Sequence, residues 1–163
     1  MATTRGTELA RSIRQKLEEL KRACIELDDV TAARAPEGRW SPKEILSHLC
    51  GPEGSGHLPL FQAFLNRLPR VDIHPGDPFF SDHRSRMSVA DYLAEVDREY
   101  EGIAAFVENL SEEELERTAY VPQLKDSPLG DHPSLEKIIR GVGDFHLQFH
   151  IDHLREIMQE LRK

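Results

Sequence analysis

DFHLQFHIDHLREI, residues 144–157, is the stretch from which the fold follows. Its apolar positions recur at helical spacing, and three of the chain's eight histidines fall inside it. At about 100° per residue, His150 lies about 40° around the helix from His146, and His153 shares that face. Val142, Phe149 and Ile157 are expected on the same stripe, with Leu135 and Ile139 one or two turns earlier, so the face should be buried. Imidazoles set into an apolar face must have their ring nitrogens satisfied after burial. Carbonyl or carboxylate partners would suffice for a single core histidine. For an i, i+4 pair, a metal ion is favoured, imidazole being the commonest metal ligand. A helix of this kind needs facing helices to complete its core and its site, which points to a bundle.

Upstream, the chain supplies those helices. Over residues 7–30, Ile13, Leu17, Leu20, Cys24 and Leu27 form one narrow apolar stripe between charged positions. A second helix opens at Ser41-Pro42-Lys43-Glu44, which has a Ser cap, Pro at the first helical position and Glu three residues after the cap. Trp40 and Ile45 are placed to form the hydrophobic staple at its entry. The segment 51–56, Gly-Pro-Glu-Gly-Ser-Gly, should break this helix before a further helical piece over 58–68. Residues 69–86 read as a long crossing loop. A third helix begins at Ser88, with Val89, Leu93, Val96, Tyr100, Ile103, Val107 and Leu110 on its stripe, and Ser111 opens a short turn. The last helix runs from about Ser134 to the end. No segment alternates as a strand would, so the expected class is all-α, a four-helix bundle with long crossing connections.

Composition narrows the function. The 163 residues, 39% hydrophobic and 31% charged, suit one domain spanning 1–163. A formal charge of −8 argues against a nucleic-acid partner. No run approaches the length of a membrane span, and the first residues show no apolar signal region, so a cytoplasmic location without a membrane partner is expected. Cys24 and Cys50 read as small buried thiols rather than a disulfide framework. The long helices are of a kind that can pair two copies into a homodimer. A third imidazole to join His146 and His150 must come from another helix, and His48, among Ile45, Leu46 and Leu49, is the strongest candidate. His57, His74, His83 and His132 sit in loop-like contexts and read as exposed, His57 having slightly more claim to the site.

Two motifs now resemble a known family. The segment from Trp40 to Leu49, WSPKEILSHL, is similar to the W-S-x-x-E/Q-x-x-x-H-L signature of the DinB/YfiT-like proteins, and His146-x3-His150-x2-His153 is similar to that family's C-terminal H-x3-H-x2-H/Q motif. They stand in the family's order, and the resemblance covers essentially the whole chain. It implies a non-meander four-helix bundle with a divalent metal near one end, held by His48, His146 and His150. His153 falls where the family has Gln or His, beside the triad. Family members commonly continue the second helix smoothly past the His-Leu pair, whereas here 51–56 interrupts it.

Three neutral imidazoles leave coordination positions open, unlike the closed four-ligand sites of structural zinc, and they suit zinc or nickel. Relatives implied by the resemblance include S-transferases using bacillithiol, mycothiol or glutathione, and a mycothiol-dependent isomerase. The leading expectation is therefore a metal-dependent transferase whose partners are a low-molecular-weight thiol and an electrophile. A metal-dependent hydrolase comes second, and a non-catalytic, stress-induced metal-binding bundle third. No catalytic residue beyond the ligands is assigned. Trp40 and Glu44 are expected to be architectural, and the site should face a pocket bounded by the start of the second helix, residues 51–56 and the loop 69–86.

Overall fold

The computed structural model describes residues 3–163; Met1 and Ala2, the start of the segment read as lacking a signal region, lie outside the described residues. Helix α1 spans Thr4–Ala23 and buries Leu9, Ala10, Ile13, Leu17 and Leu20. It stops well short of residue 30 because a competing cap comes next. The Asp28 carboxylate accepts from the Thr31 N–H and starts a separate turn of helix, α2, Asp29–Ala32. Helix α3, Pro42–Cys50, begins as its sequence demands: the Ser41 hydroxyl accepts from the Glu44 N–H at 3.2 Å, and the Glu44 carboxylate accepts from the Ser41 N–H at 3.1 Å. After the break comes α4, Leu58–Leu65. The long connection holds a single helical turn, α5, Asp82–Ser85. Helix α6, Val89–Glu108, opens with a second reciprocal cap between Ser88 and Asp91, and α7, Glu112–Glu116, with a third between Ser111 and Glu114.

The last helix is not continuous. It consists of α8, Leu135–Arg140, a π turn over Gly141–Phe145, and α9, His146–Leu161. The π turn inserts one extra residue per turn and resets the register just before His146. It forms where the backbone comes close to α1: a Cβ on Gly143 would lie 2.7 Å from Cγ1 of Ile13. Only a residue without a side chain permits that approach.

Helix α1 packs chiefly on α6 and α9, and α3 also packs on α6 and α9, so the order around the bundle is α1, α6, α3, α9. The successive long elements α1 and α3 therefore stand diagonally, and the chain crosses the ends of the bundle to connect them. Residues 69–71 are pinned to the 118–134 segment by Val71 N–H to Tyr120 C=O at 2.9 Å and Tyr120 N–H to Pro69 C=O at 3.2 Å. Isolated bridges are the only extended pairing among the described residues, and the class is all-α. Among the described residues no helix is long and apolar enough to cross a membrane.

Gly143→Ala tests the close approach. Helix propensity alone would favour alanine by about 1 kcal/mol, but overpacking against Ile13 opposes it by about 1–3 kcal/mol. Net destabilisation is expected in urea melts, reduced in the double variant with Ile13→Ala relative to the sum of the two single changes. A more stable Gly143→Ala protein would refute the close packing.

Candidate metal centre

The inner face of α3 carries His48, and the first turn of α9 carries His146 and His150. Because α3 and α9 are neighbours in the bundle, the three rings meet. Each offers a nitrogen within 4.8 Å of the others. Nε2 of His48 lies 2.7 Å from Nε2 of His146, and the ring centroids are 4.5–4.7 Å apart. The candidates read from the sequence are thus brought to one point.

The protonation pattern fits a cation there. Nδ1 of His48 donates to the backbone carbonyl of Asp77 at 2.5 Å, so its Nε2 carries a lone pair. That lone pair faces Nε2 of His146. Nδ1 of His146 is buried with no partner. If His146 carries its proton on Nε2, the Nδ1 lone pair is stranded; if on Nδ1, two lone pairs oppose each other at 2.7 Å. Either way the protein alone leaves a ring nitrogen unsatisfied, and a divalent ion held by His48, His146 and His150 would accept the lone pairs that otherwise oppose each other. A proton shared between Nδ1 of His150 and Nδ1 of His153, 3.3 Å apart, leaves Nε2 of His150 free when His150 holds it. His153 therefore stands behind the triad, orienting His150.

Burial keeps these rings neutral, which is the ligand form. It lowers His48 below the usual imidazole range, His146 to about 3 and His150 to about 2, the neighbouring imidazoles adding to the effect in the latter two. Burial likewise raises the thiols of Cys24 and Cys50 to about 12, so neither is a nucleophile at neutral pH.

Several surroundings differ from the sequence reading. Phe149, which helical spacing assigns to the buried stripe, is instead 64% exposed. The buried arc of α9 is Leu147, His150, Ile151, Leu154, Ile157 and Met158, which centres near Leu154. At about 100° per residue, Phe149 falls outside that arc, and His146 and His153 lie along its edge. The histidines thus border the core rather than occupy its middle, which leaves the site reachable. Trp40 does more than open a helix: its ring lies 5.3 Å from that of His48 and is stacked parallel to His150 at 6.3 Å. Glu44 is a cap, as expected. His74, His83 and His132 are exposed. His57 is not a solvent-exposed loop residue: its Nε2 bonds the Leu49 carbonyl at 3.0 Å, its backbone N–H donates to Glu99 at 2.7 Å, and burial lowers its pKa to about 4.

The break after α3 is itself a built element. Gly51 turns at φ 75°, and a Cβ there would press on the His57 ring at 3.0 Å. Arg84, 1% exposed, locks the turn. Its Nη1 donates to the carbonyls of Ser47 (3.1 Å), Gly51 (2.6 Å) and Phe79 (3.1 Å), and its Nη2 pairs with Glu95 at 3.1 Å. Phe79 has a left-handed backbone, φ 51°, which costs a non-glycine residue about 1–3 kcal/mol. That conformation is held by two sets of bonds. The Phe79 carbonyl accepts from Arg84 and from the Ser47 hydroxyl at 3.0 Å, and its N–H donates to the Asp77 carboxylate at 2.8 Å. The result aims the Asp77 carbonyl at His48 and lays the Phe79 ring parallel to the imidazole at 6.1 Å. No pattern in the sequence announces this support, because two of the three backbone carbonyls that Arg84 serves, those of Ser47 and Gly51, lie far from it along the chain.

A cavity of about 570 Å³ adjoins His48 and His146. Residues of the 51–56 break and the 69–86 loop line it, as expected, but its other walls are α4, α8 and the π turn rather than the start of α3.

No family model and no curated protein matches the chain. Solved structures do. YfiT from Bacillus subtilis, described as a probable metal-dependent hydrolase with an unusual four-helix bundle topology, superposes with a TM-score of 0.76 at 18% identity, over 99% of this chain and 90% of that one. A protein from Streptococcus pneumoniae matches at 0.65 and 17% identity, over 96% and 92%. An uncharacterized protein from Clostridium difficile matches at 0.64 and 14%, over 96% of each chain. The fold is that of the DinB/YfiT-like four-helix bundle, with a histidine triad between facing helices.

Neutral burial and the Arg84 lock can each be tested. In chelated protein, His57, His146 and His150 stay neutral when folded to well below the 6.5 of an ordinary imidazole. Below pH 6.5 the unfolded chain binds protons that the folded one does not, so stability present above 6.5 is lost as pH falls towards 4 and beyond. The urea midpoint should be lower at about pH 5 than at about pH 7.5, with a smaller drop in His150→Gln; a flat profile would contradict neutral burial. Arg84→Met takes the guanidinium from the Ser47 and Gly51 carbonyls and from Glu95 and leaves the Phe79 carbonyl with the Ser47 hydroxyl alone, so a loss of about 3–5 kcal/mol is expected in denaturant melts. A near-neutral Arg84→Met would show that the 51–56 turn holds without it.

Proposed function

We propose that this protein is a metal-dependent enzyme in which His48, His146 and His150 hold a divalent ion, zinc or nickel, and in which a low-molecular-weight thiol attacks an electrophilic substrate. The observation that carries this reading is the convergence of three neutral imidazoles, those of His48 and His150 buried and that of His146 half-buried, with Nδ1 of His146 left without a partner in the protein. When bound, such an ion supplies the positive charge that makes a thiol or a water nucleophilic at neutral pH. The chain's own groups do the rest. The Asp77 carbonyl sets the His48 tautomer, His153 orients His150, and Trp40 and Phe79 flank the rings. The cavity beside His48 and His146 is where an electrophile can reach the site. Hydrolysis, with water in place of the thiol, is the second reading; it is favoured by the description of YfiT, whose fold this chain shares.

Metal content and melting test the ligand set. A bound ion stabilises the folded state by mass action, about 2.7 kcal/mol when free metal stands at about a hundred times its dissociation constant. Chelation should lower the melting temperature of the wild type. His146→Ala and His150→Ala should lose that increment, and His153→Gln should keep most of it. Equal responses in all three variants would refute the ligand assignment. Turnover then separates the chemistries. Bacillithiol, mycothiol, glutathione and coenzyme A are each assayed against a chloro-dinitro aromatic, and a nitrophenyl ester is assayed without thiol. Metal-dependent conjugation that disappears in His150→Ala supports the transferase, and ester cleavage alone supports the hydrolase. No metal-dependent rate in either assay at full occupancy would leave a metal site that only stabilises the bundle.

A further inference from the structure

The cavity beside the triad has a chemical character that narrows what can enter it. Leu60 and Ala63 of α4, Val71 and Ile73 of the long loop, Ile138 of α8 and Val142 of the π turn form its walls. Two charged residues, Arg70 and Asp72, also line it, and each is already matched to the other. Arg70 donates to Asp72 from Nε at 3.2 Å and Nη2 at 3.1 Å, its guanidinium lies 5.8 Å from the centroid of the Tyr120 ring, and Asp72 also accepts from Gln123 at 2.8 Å. His57 is neutral and commits its Nε2 to Leu49. Ser55 and His74 stand exposed at the rim. A carboxylate or phosphate drawn into this space would lose water and gain no free cationic partner, a penalty of several kcal/mol. The volume of about 570 Å³ lies within the range of small-molecule sites. The imidazoles at one end are the concentrated polar feature of the space.

We propose that this cavity binds an uncharged apolar molecule, aliphatic or aromatic, lying between α4 and the π turn with its polar or reactive end at His48 and His146. That this molecule is the electrophilic substrate rests on the proposed metal-dependent activity; that the cavity selects an uncharged apolar body does not.

The test is displacement of N-phenyl-1-naphthylamine, a neutral dye that fluoresces in apolar sites, from the full-length protein as purified and again after chelation. Competitors are butanol, hexanol, octanol and octanoate. Each buried methylene contributes about 0.8 kcal/mol, so affinity should rise about fourfold per methylene along the alcohols. In chelated protein, octanoate should bind at least about tenfold more weakly than octanol. Ala63→Phe, which fills the cavity, and Leu60→Lys, which charges its wall, should each weaken dye binding about tenfold or more while the helical circular dichroism is kept. If one variant fails to fold, the other and the competitor series still decide. No dependence on chain length, octanoate binding as tightly as octanol, or unchanged dye binding in the folded variants overturns the proposal. Dye binding after chelation is independent of turnover, so an inactive enzyme with this selectivity refutes only the proposed activity, and an active one without it refutes only the apolar cavity.

Discussion

Three imidazoles brought together at the edge of the core must have their ring nitrogens satisfied, and the arrangement around α3 and α9 answers to that constraint. His48 spends one nitrogen on the Asp77 carbonyl, and His150 shares a proton with His153. Nε2 of His48 and Nε2 of His146 face each other, Nδ1 of His146 has no partner, and the rings stay neutral because burial penalises their charged forms. Position matters as much as protonation. Were these rings at the centre of the arc buried by α9, no substrate could approach them. At its edge they are dry enough to stay neutral and near enough to a cavity to be reached.

Keeping His48 in place requires support from a distance. The chain turns sharply at Gly51, and the long connection to α6 returns across that turn with Phe79 in a strained backbone conformation. Arg84 ties them together by donating to carbonyls of α3, the turn and the loop while its charge is met by Glu95 from α6. A buried guanidinium in this role exchanges its hydration for directed bonds from Nη1 and Nη2, while its Nε remains without a partner. The glycine-rich break, where the chain departs from the pattern of the family it resembles, therefore leaves the triad intact: the interruption of α3 falls just past His48, and Arg84 stiffens the turn beyond it. The break also opens the side of the cavity formed by α4, which starts only because α3 has ended.

Much of this was legible in the chain itself. Caps written as Ser41 with Glu44, Ser88 with Asp91 and Ser111 with Glu114 appear in the structure as paired side-chain and backbone bonds, because capping is local and depends on residues three apart. Helical spacing of apolar residues marked the long helices and the class, and the histidine spacing marked the face from which His146 and His150 project. Local signals fared worse where two compete. The apolar stripe of α1 continues past Ala23, yet the Asp28 cap ends the helix, and the spacing through residues 135–157 reads as one helix although a π turn divides it.

The long helices, most of their buried positions and the identity of the imidazoles follow from the chain alone, because they arise from periodicities of a few residues. Only the tertiary structure decided where those stripes end up. The order of helices around the bundle, the close approach of Gly143 to Ile13 and the exposure of Phe149 depend on contacts between segments far apart in the chain. So do the inward turn of His57, the bonds of Arg84 and the pairing that leaves the cavity walls without a free charge. Such contacts carry no local signature, because each residue's energy depends on a neighbour that the fold, and not the sequence order, brings alongside it.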